Sequence, residues 1–299
     1  MRICRLPLVL ILLLLLSACE ESVSPILESD RRFTLYGTLD MARDTQFVRV
    51  TPIRPLIDTG PPDALDITFT SRDLDLNEVR TWRDSIIVFS DGSFGHVFYS
   101  PLRINPGHRY RIEVREAGSD VVTFAETNVP ERPYPLVLPE EVSFSVSGGV
   151  FTLIGTQRVL WQDLPRRPYR VELWYRFLPN PRLAFDDILL PYEPSYASSG
   201  EETSEWRVDL NLARDRRTLD SLVNVRGVPL AGLGLQVILL DEAFEPPGGV
   251  FDPEVLAEPG AFTNVENGFG FIGSVGRFSV EWVLTPRSHE LLGYVPPGR

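Results

Sequence analysis

Apolar and polar residues alternate with a period of two in one short segment after another, and clusters of Pro, Gly, Asn or Asp separate most of these segments. Such alternation sends successive side chains to opposite faces of a strand. In the first half it runs through Phe33–Leu39, Phe47–Thr51, Leu65–Phe69, Ile86–Phe89, His96–Tyr99, Tyr110–Val114 and Val121–Ala125. With turn signals at Asp91-Gly92 and Asn105-Pro106-Gly107 between them, these segments predict an immunoglobulin-like sandwich over residues 31–130. Pro130, Pro133, Pro135 and Pro139 then crowd the chain, which predicts a linker over 131–139.

Strand patterns resume at Val142–Val146, Arg158–Gln162, Tyr169–Phe177 and Trp206–Leu210, followed by the continuous apolar run Leu235–Leu240 and by Phe269–Ile272 and Phe278–Leu284. Residues 140–299 therefore read as a second β-rich domain, and 179–203 and 246–260 read as long loops. One helix is expected over Leu212–Val223, with Leu212, Leu219, Leu222 and Val223 along its apolar stripe. The expectation is an all-β protein of two β-sandwich-like domains, the N-terminal one immunoglobulin-like and the C-terminal one a β-sandwich with one short helix. In the strand over 169–177, Trp174 shares its face with Arg170, Glu172 and Arg176. An aromatic on a charged face is either a stacking platform for a ligand or a ring covered by a neighbouring loop. Trp174, with Tyr192 and Tyr196 from the long loop, forms the set of candidate ligand-facing residues.

The first residues carry a different signal. Arg2 and Arg5 precede an apolar run over Leu6–Leu16 that is broken only by Pro7. A bilayer core needs about 20 apolar residues, so this run is too short to span one and has the length of a signal-peptide core. Leu16-Ser17-Ala18-Cys19 follows and resembles the bacterial lipobox, whose Cys receives a diacylglycerol after cleavage. Residues 1–18 are thus expected as a signal peptide and 19–30 as a lipidated tether. Glu20 and Glu21 follow the Cys, and no Asp stands there to hold the protein at an inner membrane. The expected location is the outer membrane, lipid-anchored, on its periplasmic face or at the cell surface.

Composition narrows the chemistry. Cys4 leaves with the signal, so Cys19 is the one mature cysteine, and neither a disulfide nor a Cys-rich zinc site can form. Loss of Arg2 and Arg5 takes the formal net charge from −12 to −14, as 27 basic residues face 41 acidic ones. That balance argues against nucleic acid or anionic lipid as a partner, because each needs a basic face. Every basic residue is Arg; the chain contains no Lys.

Three sets of residues are candidates for motifs that could carry chemistry. Gly268-Phe269-Gly270-Phe271-Ile272-Gly273 fits G-x-G-x-x-G but sits inside strand pattern rather than opening a helix, so its glycines read as sites of close packing. Asp73, Asp75 and Asn77 place oxygen ligands at alternate positions as in a calcium loop, yet Glu78 stands where the turn needs Gly; an acidic edge strand fits as well. His96, His108 and His289 form no metal motif, and G-x-S-x-G is absent. No catalytic residue, metal site or cofactor is nominated, and the chain reads as a non-enzyme.

Phe33-Thr34-Leu35-Tyr36-Gly37-Thr38-Leu39, Pro106-Gly107-His108-Arg109-Tyr110, Phe124-Ala125-Glu126-Thr127-Asn128-Val129-Pro130 and the closing Asn264-Val265-Glu266-Asn267-Gly268-Phe269-Gly270-Phe271-Ile272-Gly273 follow the lipobox in order. Together they resemble the Bacteroidota lipoprotein family called domain of unknown function 4249, with Ile272 where Phe is more usual. The resemblance implies an envelope lipoprotein, often encoded beside a TonB-dependent outer-membrane receptor, and it implies no catalytic residue. Function is then expected as a non-catalytic binding or accessory module of nutrient uptake, with an envelope hydrolase or an adhesive surface protein as alternatives. Cys19→Ser is expected to abolish incorporation of labelled palmitate and to release the protein from the membrane fraction; retention of label would overturn the lipobox reading.

Overall fold

The structure is a computed structural model that describes residues 31–53, 64–90, 92, 94–133, 135–137, 144–147, 150–153, 157–162, 164, 166–178, 187–198, 204–223, 225, 227–244 and 262–298. Cys19, the signal segment and the tether lie outside the described residues. The strands of the first half are β1 (Phe33–Asp40), β2 (Gln46–Pro52), β3 (Ile67–Asp73), β4 (Glu78–Thr81), β5 (Arg83–Val88), β6 (Phe94–Ser100), β7 (Arg109–Glu116) and β8 (Val122–Asn128). Then come β9 (Pro135–Val137), β10 (Phe144–Ser147), β11 (Val150–Leu153), β12 (Gln157–Gln162), β13 (Arg170–Phe177), β14 (Asp187–Tyr192), β15 (Ser195–Ser198), β16 (Ser204–Leu210), β17 (Leu230–Leu240), β18 (Val265–Glu266) and β19 (Gly268–Glu281). Helix α1 (Leu212–Val223) precedes β17 and helix α2 (Pro286–Leu292) follows β19.

The all-β expectation holds, and so does the helix over Leu212–Val223. Four details differ. The expected loop over 179–203 contains β14 and β15, whose Pro, Tyr and Ser residues disguise edge strands. Within the expected linker, β9 pairs with β12. The two segments expected near the end are one 14-residue strand, β19. Helix α2 escapes a periodicity search because it has only seven residues, although Thr285 caps it by accepting from the Ser288 N–H at 3.1 Å and Gly293 ends it at φ 73°.

An eight-stranded sheet runs in the order β14-β13-β17-β19-β1-β2-β6-β5, so strands of both halves share it. A five-stranded sheet, β18-β8-β7-β3-β4, packs on its first half, and the sheet β15-β16-β12-β9 belongs to the second. The register places Leu35, Val48, Val50 and Phe98 on the face that meets Phe69, Ile112 and Val114 of the five-stranded sheet. The same face continues into the second core, where Val171, Leu173, Leu235, Val237 and Phe278 pack with Trp161, Val208 and Leu219. The boundary expected near 131–139 separates two cores but not the sheet. Residues 265 and 272 pack in the first core although they lie in the second half of the chain.

Strand β19 is the seam. Its first part pairs in parallel with β1, Phe33 beside Gly268 through Asp40 beside Val275. Its second part pairs antiparallel with β17, Val275 beside Leu240 through Glu281 beside Gly234. Met41, just past β1, packs against both cores. Gly268 and Gly270 of the G-x-G-x-x-G match serve this pairing by close approach, as their place in the strand pattern predicts. At Gly268 a Cβ would lie 2.5 Å from Phe33 O, and at Gly270 it would run into Leu35 O while φ is 103°. Asn264 acts as a substitute strand residue: its Nδ2 donates to Ile272 O at 2.6 Å and its Oδ1 accepts from the Ile272 N–H at 2.9 Å. Asn267 takes the left-handed turn between β18 and β19 at φ 54°.

Gly270→Ala is expected to destabilise the fold by roughly 3 kcal/mol or more, because backbone strain and overpacking add. Gly118 has φ 76° but open space around its Cβ position. Gly118→Ala should then lose only about 1 kcal/mol from the left-handed backbone alone. Chemical denaturation of the two variants checks the difference; equal losses would remove the close-approach argument.

Candidate functional site

Of the three residues expected to face a ligand, two are taken up by the structure. Trp174 is 6% exposed. Its ring lies over β17 where Gly234 leaves room, its Nε1 donates to Ser279 Oγ at 2.9 Å, and the Arg176 guanidinium covers it at 4.8 Å from the centroid. Among the described residues the cover comes from a neighbouring strand's glycines and from Arg176. Tyr192 points into the second core, where its hydroxyl donates to Asp215 Oδ2 at 2.6 Å and accepts from the Asn211 N–H at 3.1 Å. It thereby ties β14 to the first turn of α1. Tyr196 alone stays open, 53% exposed on edge strand β15, with its ring edge-on to Trp206 at 5.1 Å.

Asp215 was invisible to the periodicity argument. The buried stripe of α1 is Leu212, Asp215 and Leu219, whereas Leu222, expected on it, is 67% exposed. Tyr175 Oη also donates to Asp215 Oδ2, at 2.8 Å, and Arg214 lies 3.6 Å from Oδ1. Burial holds this carboxyl above the ordinary range, opposed by the Tyr192 and Tyr175 hydroxyls and by Arg214. Asp241, at the end of β17, is a second buried carboxylate. Its Oδ2 accepts from the Thr127 hydroxyl and from the Ser274 N–H at 3.1 Å, so it joins β8, β17 and β19 at the seam. Burial raises it too, against the hydrogen bonds of Thr127 and Ser274. Asp241 lines a cleft of about 760 Å³ together with Arg166, Arg167, Tyr169, Glu193 and Phe244. Arg167 pairs with Glu193 at 2.6 Å and Arg166 approaches Glu242 at 3.6 Å, so the cleft wall is charge-balanced.

The calcium-like run forms a hairpin loop. Asp73 ends β3 and its Oδ1 accepts from the Asp75 and Leu76 N–H groups, each at 3.0 Å, while Asn77 takes φ 56°. Asp73 Oδ2 lies 2.8 Å from His108 Nδ1, and Asp75 Oδ2 accepts from the Arg109 N–H at 2.7 Å. Asp73, Asp75 and His108 bring one donor atom each within 4.8 Å of one another. These bonds account for the carboxylates as turn caps that hold the β3–β4 hairpin to the start of β7. The other histidines also have partners. His96 Nδ1 lies 2.8 Å from Asp84 Oδ2 across β5 and β6. His289 is buried with its two ring nitrogens 3.0 Å from Thr285 O and 2.9 Å from Leu230 O, which pins α2 to β17.

No family model and no curated protein matches the chain. Among solved structures, the pullulanase from Anoxybacillus sp. LM18-11 is similar over 69% of this chain at 12% identity and a TM-score of 0.22. The chain spans 24% of that protein's length, and at this TM-score the likeness carries no argument. Among the described residues no helix is long and apolar enough to cross a membrane.

Burial pushes the Asp73 carboxyl up, but His108, the Leu76 N–H, Tyr110 and the Asp75 N–H together outweigh it, and the group sits below its usual 3.8. A carboxyl lowered on folding contributes stability that is present above the unfolded value and lost as pH falls through the folded one. Asp73→Asn should therefore lower stability by about 1–2 kcal/mol at neutral pH. That deficit should shrink as pH drops below 3.8, where the wild type loses the same charge. Denaturation of both proteins across pH checks this; a deficit that stays constant into acid would count against the charge-based account.

Proposed function

We propose that the chain is an outer-membrane lipoprotein that serves as a non-catalytic binding or accessory module of a TonB-dependent nutrient-uptake system. The observation that carries this reading is Leu16-Ser17-Ala18-Cys19, followed by a polar tether that leads into β1. Three further points support it. The site-like carboxylates Asp73, Asp215 and Asp241 are engaged in holding turns, a helix and the seam. His289 has both ring nitrogens against backbone carbonyls. Tyr196 and, at the cleft, Tyr169 leave exposed aromatic surface, which suits recognition. Acyl chains would supply the attachment, at about 0.8 kcal/mol per buried methylene.

The hydrolase alternative draws on one feature, the His96–Asp84 pair, which has the base and orienting groups of a triad. Among the described residues no hydroxyl is hydrogen-bonded to His96.

Affinity capture of the acylated protein from detergent-solubilised outer membranes is expected to recover a TonB-dependent receptor, and deletion of the gene should impair growth on a specific nutrient. Unchanged growth across a broad nutrient panel, with no receptor recovered, would overturn the uptake role. Hydrolysis of envelope substrates that Asp84→Asn abolishes would replace it with the enzymatic one.

A further inference from the structure

We propose that the open face of the large sheet in its first half, built by β1, β2, β6 and β5, rests on the phospholipid headgroups of the bilayer that holds the anchor. The proposal rests on the reading of Cys19 as acylated. Pairing fixes what this face carries. One row across the strands is Tyr36, Arg49, Val97 and Ser85, and the next is Phe47, Tyr99 and Arg83. The intervening residues Leu35, Val48, Val50 and Phe98 are buried in the first core, so these two rows point away from it.

The face is aromatic and open. Tyr36 is 54% exposed, Phe47 is 45% exposed, and Phe47 stacks with Tyr99 at 6.4 Å between centroids. Contiguous exposed aromatics on a folded domain mark a surface that meets something else. Aromatic side chains with a polar end favour the headgroup level of a bilayer.

The charge on this face runs against the rest of the chain. The formal net charge is −12, yet no outward-facing position of β2, β5 or β6 carries a carboxylate, and Asp40 at the end of β1 is buried and paired with Arg277 at 3.2 Å. The ions on the face are Arg49 and Arg83, with Arg31 beside it over Phe269 at 4.3 Å. The acidic total had argued against anionic lipid; segregation of the charges supplies, on one face, the basic surface that the total conceals. Guanidinium groups bind phosphate through two parallel hydrogen bonds and are weakly hydrated, which suits them to a headgroup layer.

The anchor brings that layer within reach. Twelve residues, 19–30, separate Cys19 from Arg31, and a fully extended chain spans at most about 3.3–3.6 Å per residue. The first strand is thus held within about 40 Å of the bilayer surface. An acidic protein surface would satisfy the same arginines, but the covalent link gives the lipid a standing local concentration that a diffusing protein lacks.

The test uses the acylated full-length protein. Cys19 is its one mature cysteine and its sulfur is blocked by the lipid, so Thr51→Cys or Thr38→Cys on this face, and Thr68→Cys on the five-stranded sheet, each supply a unique thiol for a polarity-sensitive fluorophore. The labelled proteins are reconstituted into vesicles of phosphatidylcholine with phosphatidylglycerol that contain a headgroup spin-labelled lipid. Quenching is expected to be several-fold stronger at positions 51 and 38 than at 68, and to weaken when Arg49→Glu and Arg83→Glu are combined or when phosphatidylglycerol is omitted. Protein that floats with the vesicles but is quenched equally at the three positions overturns the face assignment and leaves the anchor intact. Label at 51 that is shielded from a water-soluble quencher without lipid quenching assigns the face to a protein instead. Acylated protein that fails to float removes the anchor reading and this proposal with it.

Discussion

The parallel contact between β1 and β19 is the constraint on which the remaining architecture depends. Several antiparallel neighbours, β1–β2, β5–β6, β7–β8 and β13–β14, follow one another directly along the chain. The β1–β19 pair brings together segments from opposite ends of the described chain: Asp40 and Arg277, 237 residues apart, meet at 3.2 Å. Without it the large sheet would be two separate ribbons. With it, one 14-residue strand supplies Ile272 to the first core and Phe278 to the second. The glycines at 268 and 270 let the two backbones approach, and Asp241, Thr127 and Ser274 close the seam with buried hydrogen bonds. A buried carboxylate left without those donors would be costly, which is why a polar hub sits where strands of both halves converge.

The absence of lysine gives the surface a uniform chemistry. Arginine side chains lie over Phe269, Phe89, Phe124, Trp174, Tyr192 and Tyr294. A planar guanidinium can stack on a ring and donate within its own plane at once, which an ammonium cannot do. Arg176 shows both: it covers Trp174 and binds Asp187 through two hydrogen bonds at 2.8 and 3.0 Å. Aromatics that would otherwise be open to solvent are thereby sheltered at little cost in burying charge.

The strands were legible in the chain because a half-buried strand writes its burial directly as alternation. Phe33–Leu39 and Tyr110–Val114 are cases in which the predicted inward residues are the buried ones. The helix over 212–223 was legible as an element but not in its chemistry, since the buried Asp215 belongs to the stripe and no apolar count can find it. Trp174 misled for a related reason: its alternation placed it correctly on the outer face, but the glycines that shelter it lie about sixty positions away. Long-range pairing, the continuous sheet and the carboxylate-free face are properties of register between distant strands, and a single sequence contains no local signal for them. Asp241 had a weak signal, a carboxylate placed directly after an apolar run.

Strand order also governs when this protein can become itself. The strand that leaves the ribosome early, β1, finds its parallel neighbour only in β19, near the far end of the chain. Bringing such distant segments together must overcome the entropy of closing a very long loop, and folding that depends on non-local pairing is slow. A nascent chain built this way cannot complete its largest sheet until β19 is delivered. Under the export proposed above, that delay would act as an internal clock, holding the large sheet unformed until β19 has crossed.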